Sequence, residues 1–170
     1  MNSKKNDEKI DKLKLAINTK GVIFKQGALE SLAEFIIRMI RVRTRLGYGV
    51  EENEGSKKKL KSIKETTIEE RKRLLKRGEL SSETTPTRSN LTRAGELLES
   101  ITYKISKINF LTILIPNRKH KNSSATNAEI ARYQEESGRT FFKLSSSEIN
   151  QIKKECVKQI KKNNLTKFKL

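Results

Sequence analysis

Few residues in this chain have the side chains that reactions need. It has one cysteine, Cys156, and one histidine, His120. A nucleophile needs a base within hydrogen-bond reach, and general acid–base work needs a tuned carboxylate or imidazole. His120 stands in Arg118-Lys-His-Lys121, a cationic run that reads as a solvated surface loop. Cys156 falls on an apolar helical stripe, where a thiol acts as a small core hydrophobe. Glu51, Glu52 and Glu54 are close enough to suggest a cation site, yet the same spacing describes an ordinary solvated loop. Gly47-Tyr-Gly49 is a Gly-x-Gly that follows a helix, the reverse of the polarity a phosphate cradle requires. One cysteine and one histidine exclude an internal disulfide framework, a cysteine cluster and a histidine-rich metal site. The expectation is a chain without catalytic residues, cofactor or metal.

Charge is the dominant signal. Lys and Arg number 38 against 20 Asp and Glu, a formal net charge of +18 over 170 residues. Residues 56–77 carry ten bases and three acids, residues 153–169 seven lysines and one acid, and residues 104–121 five bases and no acid. Clustered positive charge attracts polyanions and releases their counterions. Aromatic residues make up only 5% and do not interleave with the lysines, so a stacking platform for single strands is not expected. Contact with nucleic acid would then run through backbone phosphate and read no sequence. The plainer alternative is a solvated basic surface. Lys57, Lys58, Lys59, Lys61, Arg71 and Arg73 are the candidate DNA-facing residues.

Hydrophobic residues are 34%, below the roughly 45–50% usual for globular domains. The core should be modest, and burial against neighbouring subunits is a natural supplement. No apolar run reaches the roughly 18–20 residues of a membrane span. No apolar stretch follows Met1-Asn-Ser-Lys-Lys5, so a secretory signal is not expected and the chain reads as intracellular.

The elements that position these residues are short. Asp7 as a cap and Ile10, Leu13 and Ile17 on one stripe predict a first helix, ended by Asn18 and Gly21. Leu29, Leu32, Ile36, Met39 and Ile40 predict a second, amphipathic helix with Glu34, Arg38, Arg41 and Arg45 on its other face. Gly47 and Gly49 break it, and residues 50–66 read as a polar loop. Thr67-Ile-Glu-Glu70 reads as a capping box for a thin basic helix that Gly78 stops. Residues 81–90, around Pro86, read as an exposed loop. Ile101, Tyr103 and Ile105 alternate, and residues 108–115 form a second β-branched run ended by Pro116, which together predict an antiparallel hairpin. The second strand is apolar on both faces and should be covered on both. Thr126-Asn-Ala-Glu129 and Ser145-Ser-Ser-Glu148 are two further capping boxes. The first opens a helix bearing Ile130 and Tyr133 that Gly138 closes. The second opens a long helix with Ile149, Ile152, Cys156, Val157 and Ile160 on one stripe. The fold class is α+β, several helices packed on a small antiparallel β-sheet with long loops or arms. Residues 1–20 form a helical arm, 21–162 a single domain with long loops at 47–66 and 79–92, and 163–170 a tail.

Three segments, in order, carry a resemblance. They are Arg43-Thr-Arg-Leu-Gly-Tyr-Gly-Val50 at a helix end before a lysine-rich loop, Thr85-Pro-Thr-Arg-Ser-Asn-Leu-Thr-Arg-Ala-Gly-Glu-Leu-Leu-Glu-Ser100 leading into a hairpin, and Ile130-Ala-Arg-Tyr-Gln with Gly138-Arg-Thr-Phe-Phe-Lys-Leu-Ser145 leading into the last helix. Over roughly residues 20–162 the chain resembles the head–tail joining proteins of tailed bacteriophages, called neck, head-completion or tail-completion proteins. Ala94 and Thr140 depart from it, standing where that family has Thr or Ser and Pro.

The resemblance implies a non-enzymatic virion subunit, assembled in the host cytoplasm and located in the neck or tail region. It implies closed homo-oligomeric rings between portal and tail, with portal or adaptor-side and tail-side proteins as neighbours. Double-stranded DNA would pass through the lumen, touching it transiently and without sequence preference. Symmetric closure lets one interface complete a small core repeatedly. Arg43, Arg45, Tyr48, Pro86 and Arg88 are the candidate subunit or partner contacts, against a plainer role for the first three as a helix end with a packed tyrosine. The alternative function is a basic, non-specific nucleic-acid-binding protein of packaging or nucleoid type.

Overall fold

The stripe of Leu29, Leu32, Ile36 and Ile40 forms one side of helix α1, Gln26–Arg45, which runs through the middle of the molecule. The structure is a computed structural model and describes residues 12–16, 23–51, 55–80, 84–88, 91, 95–107, 109–121 and 123–162. Leu32, Ala33, Ile36 and Ile40 are wholly excluded from solvent and pack with Leu98, Leu111, Ile113, Ile115 and Phe141 in one apolar core.

That core lies against a three-stranded antiparallel sheet in the order β1-β5-β4. Strands β4, Thr102–Lys107, and β5, Phe110–Leu114, form the expected hairpin. On β4, Thr102, Lys104 and Ser106 are exposed while Tyr103 and Ile105 face inward. β5 is the central strand; Leu111 and Ile113 are fully buried and its other face is half-buried. Asn109 turns the hairpin at φ 59°, a conformation asparagine tolerates better than most residues. Its Oδ1 accepts a hydrogen bond from Phe24 N at 2.9 Å, which ties the turn to the start of α1.

The strand on the other side of β5 is β1, Lys12–Ala16. This corrects the helical arm over 1–20: the described part of that segment is extended and belongs to the sheet of the main domain. Leu13 and Leu15 alternate with a two-residue period, whereas the helical stripe runs through Ile10, Leu13 and Ile17. The open edge of β5 decides between them, and a tertiary partner is invisible locally. Asp7, Ile10, Ile17, Asn18 and Gly21 lie outside the described residues.

A second correction concerns residues 47–66. They contain a two-stranded ribbon, β2, Tyr48–Val50, antiparallel to β3, Lys57–Lys59, and the first residues of α2, Glu65–Lys76. Three lysines have little strand propensity, so nothing local announces β3. Its place comes from backbone bonds: Leu60 N donates to Gly47 O and Val50 N to Thr140 O, both at 2.8 Å. Ser146 N, at the start of α5, donates to Gly55 O at 2.8 Å. Helix α2 starts two residues ahead of Thr67, with no side-chain cap, so the Thr67–Glu70 box is not used. Gly78, at φ 71°, follows the end of α2 as expected.

After a four-residue helix α3, Glu96–Glu99, come α4, Asn127–Glu136, and α5, Ser146–Lys162. The Thr126 box is formed: Glu129 N donates to Thr126 Oγ1 at 3.3 Å and Thr126 N to Glu129 Oε2 at 2.7 Å. Those bonds hold the Glu129 carboxyl below its ordinary pKa. On α4 the buried residues are Asn127, Ala128 and Ala131; Ile130 packs against the core and Tyr133 is 66% exposed. On α5 the buried line is Glu148, Ile152 and Cys156; Ile149 and Val157 are exposed. Cys156 is a buried free thiol with its pKa raised by burial. The fold is α+β. Among the described residues no helix is long and apolar enough to cross a membrane.

Gly49 gives a direct test of this packing. A Cβ there would press into the Thr140 carbonyl oxygen and stand 2.9 Å from Leu60 Cδ2. Gly49→Ala is expected to lower the unfolding free energy by about 1–3 kcal/mol, the range for overpacking a tight site. Chemical denaturation monitored by circular dichroism measures it.

Candidate interaction surface and the joint beneath it

Arg43 follows the core stripe of α1, three residues after Ile40 and seven after Ile36. That spacing turns it inward, and it is 4% exposed. A buried guanidinium needs acceptors on several sides. Nη1 donates to Glu148 Oε2, and Nη2 donates to the carbonyls of Phe141 and Lys143, the latter at 3.0 Å. Glu148 is also the capping residue of α5: Ser145 N and Ser145 Oγ donate to its Oε2 at 2.8 and 2.9 Å. From the other side, Glu135 Oε1 on α4 accepts from Phe141 N and Phe142 N, each at 2.8 Å. The segment between α4 and α5 is thus clamped by one buried cation and two carboxylates. Phe141 and Phe142 are driven into the core at 0% and 2% exposure.

Burial sets the electrostatics of this joint. Desolvation lowers the pKa of Arg43, opposed by the adjacent Glu148 charge and hydrogen bond. Desolvation raises the Glu135 carboxyl, opposed by the amides of Phe142 and Phe141. Arg41, one turn from Arg45 on α1, reaches across to the carbonyls of Leu98, Glu99 and Ile101 at 2.9, 2.8 and 3.1 Å. It closes the end of α3 and the entry to β4.

These contacts correct two expected roles. Arg43 is internal and presents nothing to a partner. Arg71, expected on the DNA-facing surface, is 5% exposed; its Nη1 donates to Arg88 O at 2.7 Å and Thr85 O at 3.5 Å. Arg71 is the tie between α2 and the 84–88 segment. That tie holds Pro86, half-buried, and the exposed side chain of Arg88 beside α2. Arg45 is half-buried, and Tyr48 is 36% exposed and directly opposite Lys59 in the ribbon.

The other candidate basic residues, Lys57, Lys58, Lys59, Lys61 and Arg73, are exposed, and α2 adds Lys72, Lys76 and Arg77 at its C-terminal half. Lys58 Nζ donates to Glu51 Oε1 at 2.9 Å, and that bond lowers the Glu51 carboxyl. Glu52 and Glu54 lie outside the described residues. Among the described residues no three His, Cys, Asp or Glu side chains gather to hold a metal ion. A cleft of about 710 Å³ separates α2 from α3 and α4, with Arg71, Leu74, Glu96, His120, Ile130 and Arg139 among its walls. His120 therefore stands at a cleft wall, with Nε2 3.7 Å from Glu96 Oε2, and is not a free loop residue.

Sequence reasoning missed Arg41 and Glu135 as organising residues, and it found Glu148 as the acid of the Ser145 capping box but not as the partner of Arg43. One signal was available: a charge on an apolar helical stripe demands a buried counterpart.

Arg43→Met leaves Glu148 buried without its cation, which costs about 3–5 kcal/mol for pairs of this kind. The expected result is a fall of that size in unfolding free energy, read by urea denaturation. The pH response of Glu135 has a defined sign. Its pKa is higher folded than unfolded, so its favourable contribution is complete below the ordinary carboxylate range and is lost as pH rises through the raised value. Glu135→Gln keeps the Oε1 acceptor and removes the charge. It should abolish that decline in a series of melting temperatures taken from acid to neutral pH.

Comparison with family models, with curated proteins and with solved structures gives no match to this chain.

Proposed function

We propose that this chain is a structural subunit of the head–tail joint of tailed bacteriophages, a neck or tail-completion protein that closes into a ring around passing DNA. The reading starts from the resemblance of three ordered segments. It is supported by one observation: the first and third segments meet in space, and the residue two before the first binds the second. Arg43 from the first bonds the carbonyls of Phe141 and Lys143 in the third. Val50, ending the first, bonds Thr140 O. Arg41, just ahead of the first, bonds Leu98 O and Glu99 O in the second. The resemblance therefore falls on residues that hold the domain together. The departure at Thr140 is also accommodated, because the group used there is a carbonyl, which proline supplies equally.

In this reading the chain is not an enzyme. It acts in the virion through a self-association surface, its neighbours on the portal and tail sides, and a non-specific basic surface toward duplex DNA. Rings visible by electron microscopy of the purified chain, alone or with portal-side or tail-side proteins, are the expected outcome. A strict monomer with no affinity for either set overturns it.

A second reading, a basic nucleic-acid-binding protein of packaging or nucleoid type, is favoured by the exposed cations of β3 and α2. Tight, steeply salt-dependent duplex binding by a monomer supports that reading instead.

A further inference from the structure

The β2–β3 ribbon joins rigid attachment to unpaired charge. Its backbone is fixed at both ends, by Leu60 N to Gly47 O and by Ser146 N to Gly55 O, each at 2.8 Å, and in the middle by Val50 N to Thr140 O. Gly49 lets it lie flush on the Thr140 peptide. A strand so constrained presents its side chains at set positions, where a loop would spread them. The three side chains of β3 are all lysine and all exposed. They are not equivalent. Successive strand residues point to opposite faces, so Lys57 and Lys59 share one face and Lys58 takes the other. Lys58 is held by Glu51. Lys57 and Lys59 make no ion pair among the described residues. They are two residues apart, about 6.7 Å along an extended strand. Long lysine stems at that interval can reach one backbone of a duplex, whose charges rise about 3.4 Å per step on each strand.

We infer that β3 is a phosphate rail for duplex DNA, with Lys57 and Lys59 making the contacts and Lys58 withheld from them by Glu51. This separates three adjacent lysines that composition treats alike. It rests on the reading of the chain as one that meets duplex DNA. The test counts phosphate contacts and is indifferent to ring closure, so the two can fail separately.

The test uses the full chain and a short mixed-sequence DNA duplex, with affinity measured by fluorescence anisotropy over a range of salt concentrations. Each phosphate neutralised contributes about 0.9 to the slope of log K against log salt. The double variant Lys57→Gln with Lys59→Gln should lose about 1.8 from that slope. Glu51→Gln with Lys58→Gln, which removes a neutral pair, should leave it unchanged. Lys57→Arg with Lys59→Arg should retain the original slope, which separates loss of contact from disturbance of the ribbon. A fall of less than about 1 for the first variant, an equal fall for the neutral-pair variant, or absence of salt-dependent binding by the parent chain overturns the inference.

Discussion

A guanidinium with almost no access to water has to find its acceptors inside the protein, and the arrangement around the two terminal nitrogens of Arg43 follows from that requirement. Its acceptors come from α5 and from the segment leading into it, more than ninety residues away in sequence. The Glu148 oxygen that meets Arg43 also receives the Ser145 amide, so the charge balance of the core and the first turn of α5 are one structure. Buried ion pairs are a poor source of net stability compared with apolar packing of the same volume. Here the pair fixes where α5 meets α1, because Arg43 and Glu148 are each about 3% exposed and meet one another. In a chain with so few apolar residues, a device that fixes geometry without demanding more of them suits the composition.

Glu135 supplies the complementary constraint. The corner at Phe141 and Phe142 has its two amides bound to an acid and its flanking carbonyls bound to a base. A short irregular segment would otherwise enter the interior with unsatisfied backbone. Satisfying it from both sides allows two phenylalanines to become core residues while the chain around them is neither helix nor strand.

Local pattern made much of this readable. The stripe of α1, the β4–β5 hairpin and the boxes at Thr126 and Ser145 each depend on residues within one or two turns of each other. What stayed hidden depends on partners remote in sequence. Lys12–Ala16 is a strand because β5 has an edge to fill, and Lys57–Lys59 is a strand because its neighbours are bolted to Thr140 and Ser146. The Thr67 box went astray for the opposite reason, since a correct local signal was not taken up by the packing. In the candidate surface, composition located the basic stretch. It could not sort that stretch into an internal tie, Arg71, a neutralised lysine, Lys58, and exposed cations. Burial and pairing are properties of the folded chain.

The Ser146 amide that meets Gly55 has a mechanical meaning. An opening amide of a helix is normally left to a side chain or to water; here the bend between β2 and β3 supplies its acceptor. Tension applied to the ribbon is thereby delivered to the first turn of α5, and through Glu148 and Arg43 to the central helix. A strand of three exposed lysines is thus coupled in series to the buried Arg43–Glu148 pair, so a load on the outside is shared by the interior rather than absorbed by a hinge.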